Sequence, residues 1–187
     1  GQADIVKSNA FRQEAMEQCD HTPCFWPRGI TPKRWTFRNT HTTTQVWEIP
    51  GSSQDQIETD GHFFLDGSGG LLSKDPRLRV CGWAWVQPGQ QVMYPAWHTC
   101  GQYGTLEGKQ TVPRSEMVAL IQCLKAINSR GQTEFSARIY TDSSVVHDGY
   151  YKGDYVRHTP NGELWDEIFQ EVTILHANNG HIQLIKC

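Results

Sequence analysis

One stretch of the chain, from His62 to Gly70, constrains the fold more than any other. It contains an apolar run, Phe63-Phe64-Leu65, that leads directly into Asp66 and then into a turn rich in glycine and serine. A short apolar run bounded by turn residues is typical of a buried β-strand. The sequence therefore predicts a strand that ends at Asp66 and places this carboxylate at the edge of a sheet.

Strand and helix patterns alternate along the rest of the chain. Two further strands are predicted at residues 79–86 and 91–105, and the second contains a proline and a glycine, which favour an edge position. A helix is predicted from Pro113 to Ser129, because its apolar residues follow helical spacing after a first-turn proline. The remaining predicted elements are a strand at 137–142, a helix at 143–150, a helix at 161–176 capped by Asn161, and a strand at 181–186.

The composition changes near residue 59. Residues 1–59 are rich in Thr, Gln, Asn and Pro, and we interpret them as an N-terminal extension or connector that precedes an α/β domain at 60–187. The net charge of -3 gives no general attraction to nucleic acid, so such a partner would need a local binding surface. Scattered cysteines and the absence of a membrane-length apolar run favour an intracellular chain, in the cytoplasm or the nucleus.

Three carboxylates are predicted to converge. The strands that end at Asp66 and Asp142 are joined through a helix, and such a crossover makes strands parallel, so both acids lie at the same sheet edge if the strands are adjacent. Glu116 lies at the border of the apolar stripe on the connecting helix and can reach this edge. Crowded acids repel one another unless a cation neutralises them, and Mg²⁺ prefers oxygen ligands. The residues therefore predict a two-metal site of the kind that cleaves phosphodiesters.

Simpler interpretations of these acids remain open. Asp142 precedes Ser143 and Ser144, and in that position it could serve only to cap a helix. Glu116 could be a solvated helix residue, although the neighbouring apolar stripe argues against this.

The acids stand in motifs that resemble a known family. The motifs are Phe64-Leu65-Asp66-Gly67-Ser68, then QTVPRSEMVAL from Gln110 to Leu120, then IYTDSSVV from Ile139 to Val146, and finally Asn161-Gly162-Glu163-Leu164-Trp165. In this order they resemble a type 1 ribonuclease H domain, of the kind attached to the reverse transcriptases of retroelements. The resemblance covers residues 61–186, and CFWPRG at 24–29 resembles the connector that follows a retroelement polymerase.

The resemblance implies a fold, a reaction and a site. The fold is a ribonuclease-H-like three-layer α/β fold, with a five-stranded mixed sheet ordered 3-2-1-4-5 and helices on both faces. The reaction is cleavage of the RNA strand of an RNA·DNA hybrid with two Mg²⁺ or Mn²⁺ ions, in which Asp66 bridges both ions and Glu116 and Asp142 each bind one. The implied substrate contacts come from Gly67, Ser68, Thr111, Arg114 and Ser144.

Two departures from the family pattern leave an alternative function. Val112 and Pro113 stand where family members often carry asparagine, and the sequence ends at Cys187, before the last helix and the fourth acid that the family supplies there. The domain is therefore expected to lack its last helix, that is, to be C-terminally truncated. The alternative is a weak or inactive module that binds nucleic acid or docks to the polymerase part of a larger polyprotein. An exonuclease or integrase-type domain of the same wider group is less consistent with the motifs.

Overall fold

The computed structural model describes residues 45–52, 54–71, 73–74, 79–89 and 100–187. Six strands are present in this part of the chain: β1 Val46–Glu48, β2 His62–Ser68, β3 Gly82–Gln87, β4 Cys100–Thr105, β5 Ser136–Thr141 and β6 His181–Lys186. The α-helices are α1 Val112–Ser129, α2 Ser144–Lys152 and α3 Gly162–Ala177, and short 3₁₀ helices occur at Gln54–Gln56 and Gly153–His158. None of these helices is long and apolar enough to cross a membrane.

The strands form one mixed sheet in the order β1-β4-β3-β2-β5-β6. β2, β3, β4 and β1 are paired antiparallel in succession, whereas β2 pairs parallel with β5 and β5 pairs parallel with β6. The predicted α/β fold is confirmed, and the predicted strand order 3-2-1-4-5 corresponds to β4-β3-β2-β5-β6. The predicted number of five strands is wrong, because β1 adds a sixth. The edge position expected for the third strand is wrong, because β1 pairs with the outer side of β4 and itself forms that edge.

Strand β1 comes from the segment that the sequence assigns to the extension or connector. It contributes three residues and pairs Trp47 with Tyr103, and the two rings stack with their centroids 5.5 Å apart. The connector-like motif at 24–29 and the first part of the predicted third strand lie outside the described residues. The boundary near residue 59 stays a prediction, and the sheet extends across it.

Helix α1 supports the sheet beneath the carboxylates. Pro113 lies in its first turn, and Met117, Leu120, Ile121 and Leu124 are buried, as helical spacing predicts. The helix packs against β2, β3 and α3. Buried side chains from all three helices join the inward-facing residues of the sheet in one hydrophobic cluster. This packing fixes the position of the N-terminus of α1 relative to the end of β2.

Candidate active site

The parallel pairing of β2 and β5 brings Asp66 and Asp142 toward the same edge of the sheet. The register pairs Phe63 with Ile139 and Phe64 with Tyr140, and each acid follows this last pair by two residues. Both side chains are exposed. The prediction that the strand ends at Asp66 is wrong, because β2 continues to Ser68 and pairs Asp66 with Ala84 of β3. Asp142 does not cap α2, because the capping side chain is Ser143, whose Oγ accepts a hydrogen bond from the Val146 amide at 3.4 Å.

Glu116 approaches the same edge from the first turns of α1. Glu116 is only 4% exposed, so it is more deeply buried than its predicted position at the border of the apolar stripe implies. The Gly67 amide donates a 2.9 Å hydrogen bond to Glu116 Oε1, which ties α1 to the end of β2. The approach requires a glycine, since a Cβ at position 67 would lie 2.8 Å from Glu116 atoms. Glu116 Oε2 is buried and has no hydrogen-bond partner.

The three acids interact electrostatically. Burial, followed by the negative charges of Asp142 and Asp66, raises the pKa of Glu116 to about 7, against the lowering effect of the hydrogen bond from Gly67. Burial disfavours the ionised carboxylate because a charge loses its hydration, and each neighbouring anion adds repulsion. The two neighbouring acids therefore make Glu116 harder to ionise in the folded protein.

The donor set suits a hard divalent cation, but its arrangement is not that of a closed metal cage. All donors are carboxylate oxygens, and one buried oxygen of Glu116 lacks a partner. As the side chains stand, no group of three or more His, Cys, Asp or Glu residues in the described chain could hold a metal ion. The site offers an unsatisfied anionic oxygen to a cation without being pre-formed for one.

The residues expected to contact substrate lie around this edge. Gly67 and Ser68 end β2, and Ser68 Oγ accepts a 3.1 Å hydrogen bond from the Gly70 amide. Thr111 occupies the N-cap position of α1, but its side chain makes no capping hydrogen bond. Ser144 is exposed at the start of α2. The structure therefore brings all three segments to one end of the sheet.

Arg114 and Asn161 differ from what the sequence predicts. Asn161 holds the N-cap position of α3, yet its side chain does not cap the helix. Its Oδ1 instead accepts a 3.2 Å hydrogen bond from Arg114 Nη1, which also forms an ion pair with Glu163. The local sequence predicts a cap at Asn161 because asparagine is common at helix N-termini. It contains no information about Arg114, which is 47 positions away along the chain.

Two of the cavities in the described part of the chain bear on the location of the site. One of about 380 Å³ lies beside the site and is lined by residues of α2 and the start of α3, among them Ser144, Asn161 and Trp165. The larger, of about 700 Å³, is lined by residues 55–60 and the ends of neighbouring loops. Because Thr59 and Asp60 precede β2, this cavity lies at the opposite end of the sheet from Asp66.

Comparison with solved structures gives the following similarities. The ribonuclease H1 of the halophilic archaeon Halobacterium salinarum NRC-1 is 20% identical, with a TM-score of 0.44, over 67% of this chain and 85% of that one. LC11-RNase H1, solved in complex with an RNA/DNA hybrid, is 15% identical, with a TM-score of 0.46, over 67% and 84%. The protease-reverse transcriptase of prototype foamy virus is 20% identical, with a TM-score of 0.46, over 72% of this chain and 19% of that one.

No family model matches the chain, and no curated protein matches it significantly. The similarity is thus one of structure, at no more than 20% identity in these three comparisons. The chain is similar in structure to ribonuclease H1 proteins and to a part of the protease-reverse transcriptase of prototype foamy virus.

Proposed function

We propose that this chain is an endonuclease that cleaves the RNA strand of RNA·DNA hybrids with the help of two Mg²⁺ or Mn²⁺ ions. The observation that carries the proposal is the position of Glu116, which is buried beside Gly67 of β2 and destabilised as an anion by Asp142 and Asp66. Ionised carboxylates in this cluster repel one another without a cation, and this supports the proposal that the site binds one.

The three carboxylates have distinct parts in this proposal. Asp66, near the end of β2, would help to hold both ions, while Glu116 and Asp142 would each hold one. The bound ions would activate a water and stabilise the leaving oxygen, so that cleavage leaves a 3′-hydroxyl and a 5′-phosphate. The Gly67 amide orients Glu116 through Oε1, which leaves Oε2 for the cation.

Selection of a hybrid would depend on the rim of the site. Gly67, Ser68, Thr111, Arg114 and Ser144 lie at the ends of β2, α1 and α2 that surround the carboxylates. Contacts from such positions to 2′-hydroxyls and to a deoxyribose backbone distinguish the strands without reading bases. The motif resemblance supports this substrate class, and it also supports a partner in the form of the polymerase part of a larger polyprotein.

A cleavage assay on an end-labelled RNA·DNA hybrid tests the proposal. Wild-type chain with Mg²⁺ or Mn²⁺ is expected to cut the RNA strand, and Asp142→Asn is expected to reduce the rate at least ~100-fold, because it removes a charge from the reacting centre. Asp154→Asn is the matched control, since Asp154 is exposed and pairs with Arg157 away from the three acids. Wild-type rates in the Asp142→Asn variant would contradict the site assignment.

The second candidate function is a module that binds a hybrid without cutting it. It is favoured by the open arrangement of the acids, none of which joins a ready metal-binding group among the described residues. Fluorescence anisotropy with a labelled hybrid separates the two functions. Binding without cleavage at saturating Mn²⁺ would support the module and contradict the nuclease.

A further inference from the structure

Arg114 links the N-termini of two helices beside the carboxylates. It lies in the first turn of α1, and its Nη1 donates both to Asn161 Oδ1 at 3.2 Å and to Glu163 Oε1 in the first turn of α3. The Arg114 side chain is only 14% exposed, whereas Glu163 is 60% exposed. Arg114 is therefore a largely buried cation whose charge is balanced by one carboxylate at the surface.

The contact with Arg114 fixes the orientation of the Asn161 amide. A guanidinium carries only donors, so the amide atom that faces it must be the acceptor oxygen. The opposite orientation would set N–H against N–H and leave the guanidinium donor without an acceptor at this contact. Consequently the Asn161 Nδ2 group, with its two donors, is turned away from Arg114.

The Asn161 donors are available to a ligand. Asn161 lines the 380 Å³ cavity together with Ser144 and Lys152, and Nδ2 makes no hydrogen bond within the described residues. The cavity lining includes an amide donor, a hydroxyl and an ammonium group, which suit the oxygens of an anionic backbone, and one carboxylate, Asp148, which interacts with the Lys152 charge. Ser144 lies two residues beyond Asp142, so this cavity adjoins the proposed site of cleavage.

We propose that Glu163 is a positioning residue for substrate binding, which acts through Arg114 to hold the Asn161 amide with its N–H donors toward the cavity. Glu163 balances the charge of Arg114 and holds Nη1 between the two helices. Without this partner the guanidinium is free to leave Asn161, and the amide is free to rotate. This inference rests on the proposed function, because the ligand at the cavity is the sugar-phosphate backbone of the hybrid.

The substitution Glu163→Gln tests the role of Glu163 kinetically. The KM for a short RNA·DNA hybrid is expected to rise about fivefold, equivalent to one weakened hydrogen bond, while kcat stays within about twofold. Glu167→Gln is the matched control, because Glu167 forms a 2.6 Å ion pair with Lys125 that likewise joins α3 to α1. An unchanged KM in Glu163→Gln, or an equal rise in Glu167→Gln, would overturn the proposal.

A measurement without substrate separates this inference from the function on which it rests. In ¹⁵N-labelled full chain, the side-chain NH₂ resonances of Asn161 are assigned by their loss in Asn161→Asp. They are expected to shift or broaden in Glu163→Gln and to be unchanged in Glu167→Gln. Unchanged Asn161 resonances in Glu163→Gln overturn the positioning role, whereas failure of the wild-type chain to bind or cleave hybrids is a failure of the proposed function alone.

Discussion

Glu116 is the residue at which burial, charge and backbone contact meet. Two of its neighbours are carboxylates, one is the Gly67 amide, and its second oxygen is buried without a partner. A group in this environment destabilises the metal-free fold whenever it is ionised. The metal-free protein is therefore less stable because of the site that would bind the cation.

Replacing Glu116 with Gln is expected to stabilise the metal-free protein in a pH-dependent manner. The folded-state pKa of Glu116, about 7, lies above its ordinary value of 4.5, so its contribution is most favourable below that value and is lost as the pH rises through 7. Glu116→Gln should thus be nearly neutral at about pH 4 and stabilising by up to about 3 kcal/mol at about pH 8.

Urea unfolding in EDTA at several pH values measures this difference. Glu167→Gln is the control, because it removes a carboxylate from a surface ion pair, and its effect is expected to stay within ~0.5 kcal/mol throughout. A stability difference for Glu116→Gln that is independent of pH would contradict the electrostatic account.

Gly67 has a steric role that a second glycine in the neighbouring strand does not share. A Cβ at position 67 would lie 2.8 Å from the Glu116 backbone nitrogen and side chain, whereas at Gly82 the nearest atom is 3.4 Å away. Gly67→Ala is expected to lower the free energy of unfolding by about 1–3 kcal/mol and to reduce cleavage, because α1 must move away from β2. Gly82→Ala should be neutral or slightly stabilising in the same unfolding and cleavage assays.

At the scale of elements, successive side chains of β2 point to opposite faces of the sheet. Phe63 is fully buried in the core and its ring lies 6.2 Å from that of Trp85, whereas Phe64 is 38% exposed and stacks on Tyr140. Both residues are aromatic and adjacent in one strand, so they differ in burial rather than in strand propensity. This makes them a matched pair for measuring what the inward face contributes.

Phe63→Ala is expected to cost about 3–5 kcal/mol, because it leaves a cavity in the packed core. Phe64→Ala should cost about 1 kcal/mol, mostly from the lost stacking on Tyr140. Chemical denaturation of the two variants under one set of conditions provides the comparison. Equal losses would mean that the two faces of β2 are covered to the same extent.

At the scale of the whole molecule, the proposed cation site would link metal binding to folding. Mg²⁺ should bind the folded cluster and not the dispersed acids of the unfolded chain, so it is expected to raise the melting temperature. At a free concentration about ten times the dissociation constant, the stabilisation is ~1.4 kcal/mol. Because protons compete for the carboxylates, the gain should diminish as the solution is acidified to about pH 4.

Differential scanning fluorimetry with Mg²⁺ and with EDTA measures this gain. The Asp66→Asn variant should lose most of the Mg²⁺-dependent shift, since Asp66 is proposed to bridge both ions. A shift of equal size in Asp66→Asn and wild type would place the bound Mg²⁺ elsewhere on the molecule.

Much of the sheet follows from the sequence because its determinants are local. β6 matches its predicted range, and α1 begins one residue before it is expected, since apolar periodicity and turn residues lie within each element. The predicted partnership of Asp66 with Asp142 follows from the handed crossover that joins their strands, and the observed pairing of β2 with β5 supports it. The ion pairing of Arg114 cannot be read in this way, because its partners lie on another helix.

The sequence by itself determined the order of the elements from β2 to β6, because periodicity and connection length constrain it, and its motifs named the three acids of the proposed site. Only the tertiary structure decided that β1 forms the edge of the sheet, that Glu116 is buried with one unsatisfied oxygen, and that Arg114 takes Asn161 away from its capping role. These outcomes depend on how α1 packs against β2 and α3. Such packing joins residues that are dozens of positions apart, and no local pattern encodes it.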